Sequence, residues 1–268
     1  GGSTFAYDNL IFDNSGDGIN VSGTSTGSNT FVENIIGLPD RLHQANPVTT
    51  LVAGNKGAGI AIRNGSSRNI IARNTIVGSS GSGVLLTGEG TDHNVVEANW
   101  IGVVLAASGV DENLNFTGPA VHAQLNGTTT GNGVHGVEIA AGASDNLVGR
   151  RTPPDNFDWF NTMQVIGANQ KHGVFVHGEG TDNNVIRNNL LGVPAVESLT
   201  DGLDHIGNVE SGVAVACDTG EQVGPRNLRI GNNFIGSNSS ASAADSAGIL
   251  VAATDIAGAV CSTTTRIT

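Results

Sequence analysis

The strongest constraint on this chain is a glycine followed by alternating apolar residues, a unit that recurs along the whole sequence. Copies begin at Gly18, Gly59, Gly83, Gly136, Gly173, Gly212 and Gly248, and each continues with two Ile, Val or Leu residues separated by one position. Alternation with a period of two, carried largely by β-branched residues, predicts short strands with one buried face. We expect φ > 0 at each opening glycine, because glycine alone adopts that backbone without strain.

Asparagine recurs between these strands. Pairs stand five positions apart, as in Asn94 and Asn99, and a further asparagine lies four positions before most opening glycines. Aligned, these residues follow one another at steps of about 20 residues, with longer steps where loops are inserted. One asparagine per circuit at one corner would form a hydrogen-bonded ladder that satisfies buried turn amides. The predicted ladder consists of Asn14, Asn34, Asn55, Asn74, Asn99, Asn132, Asn169, Asn189, Asn208 and Asn232.

Internal repetition predicts the fold. Residues 83–103 and 173–193 share twelve identities in 21 positions. Strands of period two, short turns and the absence of long helical patterns disfavour βαβ folds and leucine-rich repeats. We therefore predict an all-β chain, a right-handed parallel β-helix of about ten coils of about 20 residues each. It would form a single domain over 1–268, uncapped at both ends, with insertions near 39–50, 104–130, 150–161 and 194–205.

Charge and cysteine content limit the environment and the partners. The net charge of −12 disfavours nucleic acid, anionic membranes and, without bridging metal ions, polyuronates. No run of 18 apolar residues is present, so no membrane-spanning helix is expected. Cys217 and Cys261 form either one disulfide in an oxidising compartment or two buried free thiols.

The repeats resemble a known group of proteins. Residues 131–149, together with the copies at 83–103 and 173–193, resemble the right-handed parallel β-helix repeat proteins of the pectate-lyase-like superfamily. Within it they are most similar to the Asn/Gly-rich repeats of secreted bacterial surface proteins. That resemblance implies the fold, whereas the activities of such proteins include lyases, hydrolases, epimerases, phage spikes and adhesins.

The catalytic motifs of that superfamily are missing, so no catalytic residue is predicted. Polygalacturonase-like members carry Asn-Thr-Asp, but here Asn161-Thr162 is followed by Met163, and no Asp-Asp pair is present. The Asp-Pro-His-Asp run of alginate-epimerase-like members is also missing. We expect the charges on strands to be single, solvated outward positions, namely Arg63, Glu97, Glu138, Arg187 and Arg229.

Two further features suggest ligands. The Gly-Glu-Gly-Thr-Asp turns at 88–92 and 178–182 could hold Ca²⁺, although ordinary Asx-type turns explain them as well. The seven histidines show no metal-ligand spacing, so no cofactor is expected beyond that Ca²⁺. The aromatic insertion Asp155, Phe157, Asp158, Trp159 and Phe160 is the candidate binding patch, for a sugar or a partner protein.

These features favour an extracellular or cell-surface structural or adhesive module. Its partners would be copies of itself, stacked end to end into a fibre, or a surface polysaccharide. The alternative is a polysaccharide-processing lyase, hydrolase or epimerase, and a second alternative is a phage or appendage spike. Acids that converge with Arg or His in a groove would favour the enzyme.

Overall fold

The computed structural model describes residues 5–39, 51–110, 116–125, 128–152, 163–193, 206–238, 247–255 and 260–268. In these ranges the regular secondary structure consists of β-strands, and no helix long and apolar enough to cross a membrane is present. The predicted binding patch formed by Asp155, Phe157, Asp158, Trp159 and Phe160 lies outside the described residues.

The strands of the coil form three parallel sheets, A, B and C. Sheet A stacks, in spatial order, β1 (Phe5–Tyr7), β4 (Thr30–Val32), β7 (Ile70–Ala72), β10 (Val95–Glu97), β17 (Leu147–Gly149), β20 (Val185–Arg187), β23 (Leu228–Gly231) and β26 (Thr265–Ile267). Sheet B stacks β2 (Leu10–Ile11), β5 (Ile35–Ile36), β8 (Thr75–Ile76), β11 (Trp100–Ile101), β18 (Gln164–Ile166), β21 (Asn189–Leu191) and β24 (Phe234–Ile235). Sheet C stacks β3 (Ile19–Ser22), β6 (Ile60–Arg63), β9 (Val84–Thr87), β16 (Val137–Ala140), β19 (Val174–His177), β22 (Val213–Cys217) and β25 (Ile249–Asp255).

The chain visits sheets A, B and C in turn, so each A–B–C set is one circuit of a parallel β-helix. The described ranges contain seven complete circuits and one further sheet A strand, β26, rather than about ten. Where no loop intervenes, equivalent asparagines such as Asn69 and Asn94 stand 25 residues apart. The predicted circuit of about 20 residues is therefore wrong, because the steps of about 20 residues join asparagines at different corners.

The core lies inside the prism that the three sheets enclose. Alternate residues of each strand point inward, as Val137 and Ile139 of β16 do over Val174 and Val176 of β19, and all four are fully buried. The same alternation directs Glu138, Phe175 and His177 to the outer face of sheet C. The period of two thus fixes which side chains can form a surface site.

The opening glycines are needed because their positions leave no space for a side chain. The prediction that they have φ > 0 is wrong. None of the seven is among the residues with positive φ. A Cβ on Gly136 would lie 2.3 Å from Cγ2 of Ile166 and 2.6 Å from the carbonyl oxygen of Gly173. These distances are far below van der Waals contact, so the corner before sheet C admits no side chain there.

Asparagine ladders run along all three corners of the prism, not one. Asn34, Asn74, Asn99 and Asn189 belong to the corner between sheets A and B, where Gln164 takes one position. Asn14, Asn55, Asn132, Asn169 and Asn208 belong to the corner between sheets B and C. A third ladder, which the sequence analysis did not separate, joins Asn29, Asn69, Asn94, Asn146 and Asn184 before sheet A.

Asn232 is the predicted ladder residue that the structure places elsewhere. Its neighbour Asn233 accepts the side-chain amide of Asn189 at 2.8 Å, whereas Asn232 is exposed and has a φ of 53°. A left-handed residue likewise precedes Asn34, Asn74 and Asn189. The prediction of Asn232 is wrong by one residue, because Asn tolerates the left-handed conformation as well as the ladder position.

Inserted chain covers the outer face of sheet B at β11, β18 and β21. The antiparallel pairs β12 (Val104–Val110) with β13 (Phe116–His122), and β14 (Gln124–Leu125) with β15 (Thr128–Thr129), follow β11. Trp100, Val165 and Leu190 of sheet B are buried in one apolar cluster with Ala123 and Met163. This part of sheet B is therefore closed to a ligand, whereas Phe234 of β24, the register partner of Leu190, is 57% exposed.

Cys217, the last residue of β22, is disulfide-bonded to Cys261, 44 residues later. Both side chains are buried. Such bonds persist in oxidising compartments and are rare where thiols are kept reduced.

Candidate functional site

Polar and aromatic side chains converge on the outer face of sheet C, at β16, β19 and β22. Glu138 and Phe175 are register partners, and Ala214, nearly fully buried, follows on β22. His177 lies two residues beyond Phe175 and therefore on the same face. Because adjacent parallel strands are about 4.8 Å apart, side chains of successive circuits come within hydrogen-bonding reach.

His177 is held between two carboxylates from neighbouring circuits. Its Nδ1 lies 2.6 Å from Oδ1 of Asp218, and its Nε2 lies 3.2 Å from Oε1 of Glu138. The Ser82 hydroxyl donates to Oε2 of Glu138 at 2.5 Å. The side chains of His177, Glu138 and Asp218 are 14%, 22% and 37% exposed, so a molecule at the surface can reach all three. We call Ser82, Glu138, His177 and Asp218 the histidine–carboxylate cluster.

A pair of stacked imidazoles borders this cluster. His135 and His172 each precede an opening glycine, and their rings are 5.2 Å apart and nearly parallel, at 6°. Phe175 packs against both of them and against His177, with ring centroids at 4.7, 5.1 and 4.4 Å. Phe175 thus joins the imidazole pair to the histidine–carboxylate cluster through one continuous aromatic surface.

Backbone N–H groups donate hydrogen bonds to Nδ1 of both stacked histidines. Nδ1 of His135 accepts the N–H of His172 at 3.3 Å, and Nδ1 of His172 accepts the N–H of Ser211 at 3.1 Å. An Nδ1 that accepts leaves the ring proton of a neutral imidazole on Nε2. That proton of His172 points to Oε2 of Glu210, 3.0 Å away.

Burial and charge separate the protonation states of these histidines. Burial lowers the pKa of His135 to about 3, against the opposing charge of Glu138. Burial, and then the positive charge of Lys171, lower the pKa of His172 to about 4. Both rings are therefore neutral at neutral pH.

His177 and Glu138 shift in the directions of a charged pair. Burial alone would lower the pKa of His177, but the hydrogen bonds that its N–H groups donate to Glu138 and Asp218, and the charges of these carboxylates, raise it above 6.5. Burial alone would raise the pKa of Glu138, but hydrogen bonds from His177 and Ser82 lower it to about 2. The surface therefore holds an ionised Glu138 beside an imidazole with increased affinity for a proton.

This geometry corrects the expectation for two strand charges. Glu138 is not a single solvated carboxylate, because Ser82 and His177 both bond to it. Arg63 is also paired, with Asp17 at 2.7 Å. Glu97, Arg187 and Arg229 stay as outward positions that are partly or fully exposed.

Sequence reasoning missed the site because its members are far apart in the chain. Glu138, His177 and Asp218 are separated by 39 and 41 residues, and each belongs to a different circuit. One signal was available. When the opening glycines are aligned, Ser82, His135, His172 and Ser211 fall in one column, directly before Gly83, Gly136, Gly173 and Gly212.

The Gly-Glu-Gly-Thr-Asp turns are tied into the coil by threonine. Oγ1 of Thr91 accepts the N–H of Gly65 at 3.1 Å, and Oγ1 of Thr181 accepts that of Gly142 at 3.1 Å. Asp182 accepts the N–H of Arg226 at 2.8 Å. Over the described residues, no three His, Cys, Asp or Glu side chains have the arrangement of a metal site. Calcium at these turns stays a prediction.

Comparison with known proteins identifies the architecture. No protein-family model matches this sequence, and no curated protein does. Among solved structures, a double mutant of the periplasmic alginate epimerase AlgG aligns over 98% of this chain, with a TM-score of 0.51 and 15% identity. The chain is a right-handed parallel β-helix.

Two further β-helix structures align less well. They are the A-modules of the mannuronan C-5 epimerases AlgE4 and AlgE6 of Azotobacter vinelandii, each 12% identical, with TM-scores of 0.47 and 0.40 over 99% and 98% of this chain. This β-helix spans 45% of the length of the AlgG structure and 58% of each A-module.

The chemistry open to the cluster on this β-helix is proton transfer. A carboxylate held ionised and an imidazole that retains a proton can act as base and acid toward one bound molecule. Asp218 is the most exposed of the three ionisable side chains and lies on the far side of His177 from Glu138. A substrate at Asp218 would therefore contact a carboxylate whose partner imidazole supplies or accepts the proton.

Proposed function

We propose that this chain is a polysaccharide-processing enzyme whose acid–base group is the histidine–carboxylate cluster on sheet C. The observation that carries the proposal is the imidazole of His177 between Glu138 and Asp218, at 3.2 and 2.6 Å. Two acids that converge on a histidine with a raised pKa, at a partly exposed surface, are the arrangement that an acid–base site requires.

The polymer is proposed from the shape of the surface. The outer face of sheet C continues from circuit to circuit, with β9, β16, β19 and β22 in register. A long, regular face suits an extended chain more than a compact small molecule, which would favour an enclosed pocket. Phe175 on this face is buried against three imidazoles, so it supports the cluster and does not itself offer a stacking surface to a sugar ring.

The lyase, hydrolase and epimerase reactions all require such proton transfer. Hydrolysis needs protonation of the glycosidic oxygen, whereas elimination and epimerisation need removal of a proton from a sugar carbon. His177 is assigned the role of proton carrier, Asp218 contacts the substrate, and Glu138 with Ser82 positions the imidazole. An extracytoplasmic location accords with the disulfide Cys217–Cys261.

The cluster changes the order of the functional hypotheses. The structural or adhesive module was favoured because catalytic motifs were missing from the sequence, and an acid–base group assembled across circuits leaves no local motif. End-to-end stacking of copies into a fibre stays a prediction.

The test is turnover of a panel of neutral, carboxylated and sulfated polysaccharides. Three readouts separate the reactions: new reducing ends, ultraviolet absorbance of unsaturated products, and incorporation of solvent deuterium into an intact polymer. We expect H177Q and D218N to lose activity by about a hundredfold or more, and E97Q, a carboxylate on sheet A, to retain it. Equal activity in H177Q and the unmodified chain, or no turnover on any polymer, would overturn the proposal and return the adhesive module to first place.

A further inference from the structure

Arginines line the outer face of sheet A on its last three strands. Arg187 lies on β20, Arg229 on β23 and Arg266 on β26, and Arg229 and Arg266 are register partners. Arg187 and Arg229 point outward, because their strand neighbours Ile186, Leu228 and Ile230 are buried in the core, and Arg266 is in register with Arg229. Arg229 and Arg266 are exposed, so both guanidinium groups are available to a bound molecule.

A cleft of about 700 Å³ lies beside two of these arginines. Its walls include Arg229 and Arg266 from the strands, and Asn183 and Asn227 from the turns that lead into β20 and β23. The side-chain amide of Asn227 donates to Oδ1 of Asn183 at 3.2 Å, which fixes the two amides side by side at the edge of the cleft. The cleft thus combines two cations with a row of hydrogen-bonding groups.

The charges in the cleft are unusual for this chain. Carboxylates outnumber lysines and arginines by 24 to 12, and elsewhere Arg63 and Arg73 are paired with Asp17 and Glu33. Within the described ranges, no carboxylate forms an ion pair with Arg187, Arg229 or Arg266. Asp145 is the acidic residue that lines the cleft, and it too is outside these ion pairs. The local balance in the cleft is therefore positive, although the chain as a whole is strongly negative.

We propose that this cleft binds a segment of an anionic polysaccharide, with its acid groups on Arg229 and Arg266. A planar guanidinium matches a carboxylate or sulfate with two parallel hydrogen bonds, and this match is the reason for assigning an acid group to each arginine. Successive strands of sheet A are about 4.8 Å apart, close to the length of one pyranose ring in an extended chain. Acid groups on a polymer that crosses β23 and β26 can therefore meet both arginines.

The neutral parts of the cleft suit the sugar rings. Asn183 and Asn227 offer amide donors and acceptors to hydroxyl groups, and Val185 supplies an apolar wall for the C–H face of a ring. The site is on sheet A, whereas the histidine–carboxylate cluster is on sheet C, so binding here does not depend on the proposed acid–base chemistry. The overall charge of −12, which disfavoured polyuronates, does not describe this surface.

The test is calorimetric titration with three sets of oligosaccharides of equal length: oligouronates, sulfated oligosaccharides and a neutral β-glucan series. We expect the acidic series to bind and the neutral series not to bind. R229Q and R266Q should each weaken binding about tenfold, because each removes a charge-assisted pair, and raised salt should weaken binding further. Comparison of the two acidic series identifies the acid group.

The matched control is R68Q. Arg68 is exposed and lies at the equivalent turn of an earlier circuit, outside the cleft, so R68Q makes the same change in net charge. It should bind within about twofold of the unmodified chain. Equal losses in R68Q and R229Q, full binding in R229Q and R266Q, equal binding of the neutral series, or no binding of either acidic series would each overturn the proposal. H177Q should bind normally, which separates failure of this site from failure of the acid–base proposal.

Discussion

Oδ1 of Asp218 lies 2.6 Å from Nδ1 of His177, although 41 residues and a full circuit of the coil separate the two. Glu138, one circuit earlier, approaches the other nitrogen of the same ring. Three consecutive circuits therefore meet at one imidazole, and the distance between sheet strands, not any local motif, sets the geometry of the site.

Removal of Asp218 should change how His177 titrates. In D218N the imidazole loses the negative charge of Asp218, and with it the charge assistance of their hydrogen bond, so the pKa of His177 should fall. Histidine proton resonances followed by NMR over a range of pH measure this directly. D145N, which changes an exposed carboxylate on another corner, should leave His177 unchanged, and an unaltered His177 titration in D218N would contradict the assignment.

Stability should have a matching pH dependence. A raised pKa in the folded state means that the contribution of His177 is fully present below pH 6.5 and is lost as the pH rises through its folded pKa. The difference in unfolding free energy between the unmodified chain and D218N should therefore be larger at pH 6 than at pH 9.

Acid should destabilise the fold through the imidazole pair. His135 and His172 stay neutral down to about pH 3 and 4 when folded, whereas unfolded histidines take up protons near 6.5. The unfolding free energy should fall between pH 6.5 and 4 by up to about 1.4 kcal/mol per pH unit for each ring. H135Q should flatten this slope and H93Q, which changes an exposed histidine, should not; identical slopes in denaturant unfolding of both variants would count against the pKa shift.

A ladder asparagine should contribute far more to the free energy of unfolding than an exposed asparagine. Oδ1 of Asn169 accepts both the backbone N–H and the side-chain amide of Asn132, at 3.2 and 2.9 Å, in a fully buried corner. N169A leaves these donors without an acceptor, so the unfolding free energy should fall by about 3 kcal/mol or more. N232G, at an exposed left-handed residue, should change it by less than about 1 kcal/mol. Similar midpoints of thermal unfolding for the two variants would show that the ladder adds little.

The gap in the ladder at Ser79 offers a gain of stability. Ser79 occupies the ladder position between Asn55 and Asn132, and its buried Oγ has no hydrogen-bond partner among the described residues. The side-chain amide of Asn55 donates to the carbonyl of Ile11 at 3.4 Å, whereas the amide of Asn132 donates both to a carbonyl and to the next ladder asparagine. S79N should supply a ladder acceptor to Asn55 and raise the unfolding free energy by about 1 kcal/mol. S80N, at the neighbouring exposed residue, is the control, and a destabilised S79N would mean that the corner is too crowded.

The corner glycines should tolerate no side chain. G136A places a Cβ within 2.3 Å of Ile166, whereas nothing lies within 4 Å of a Cβ on Gly16. We expect G136A to lower the melting temperature strongly or to prevent folding, and G16A to have little effect. Equal melting temperatures would show that the backbone at Gly136 can move aside.

Patterns within single repeats predict the fold, whereas the candidate site depends on contacts between successive circuits. The alternation of Val174 and Val176 and the recurring asparagines predicted a parallel β-helix, because each circuit places the same residue types at equivalent positions. Spacing alone could not assign Asn34 and Asn55 to different corners, because the step of 21 residues between them resembles the predicted circuit of about 20. Glu138, His177 and Asp218 carry no shared motif, and only the register of β16, β19 and β22 brings them together.

The ladders also give the rod a chemical direction. Asn14 donates to Asn55, Asn132 to Asn169 and Asn169 to Asn208, always from the earlier circuit to the later one. The amides are therefore aligned head to tail, and each can polarise the next. Replacement of one ladder asparagine by aspartate therefore affects its two neighbours differently. The preceding asparagine keeps its acceptor, whereas the following asparagine loses its donor. Two oxygen atoms then face each other where an N–H group had donated to an oxygen. Deamidation of one buried asparagine would thus weaken the coil on its C-terminal side first.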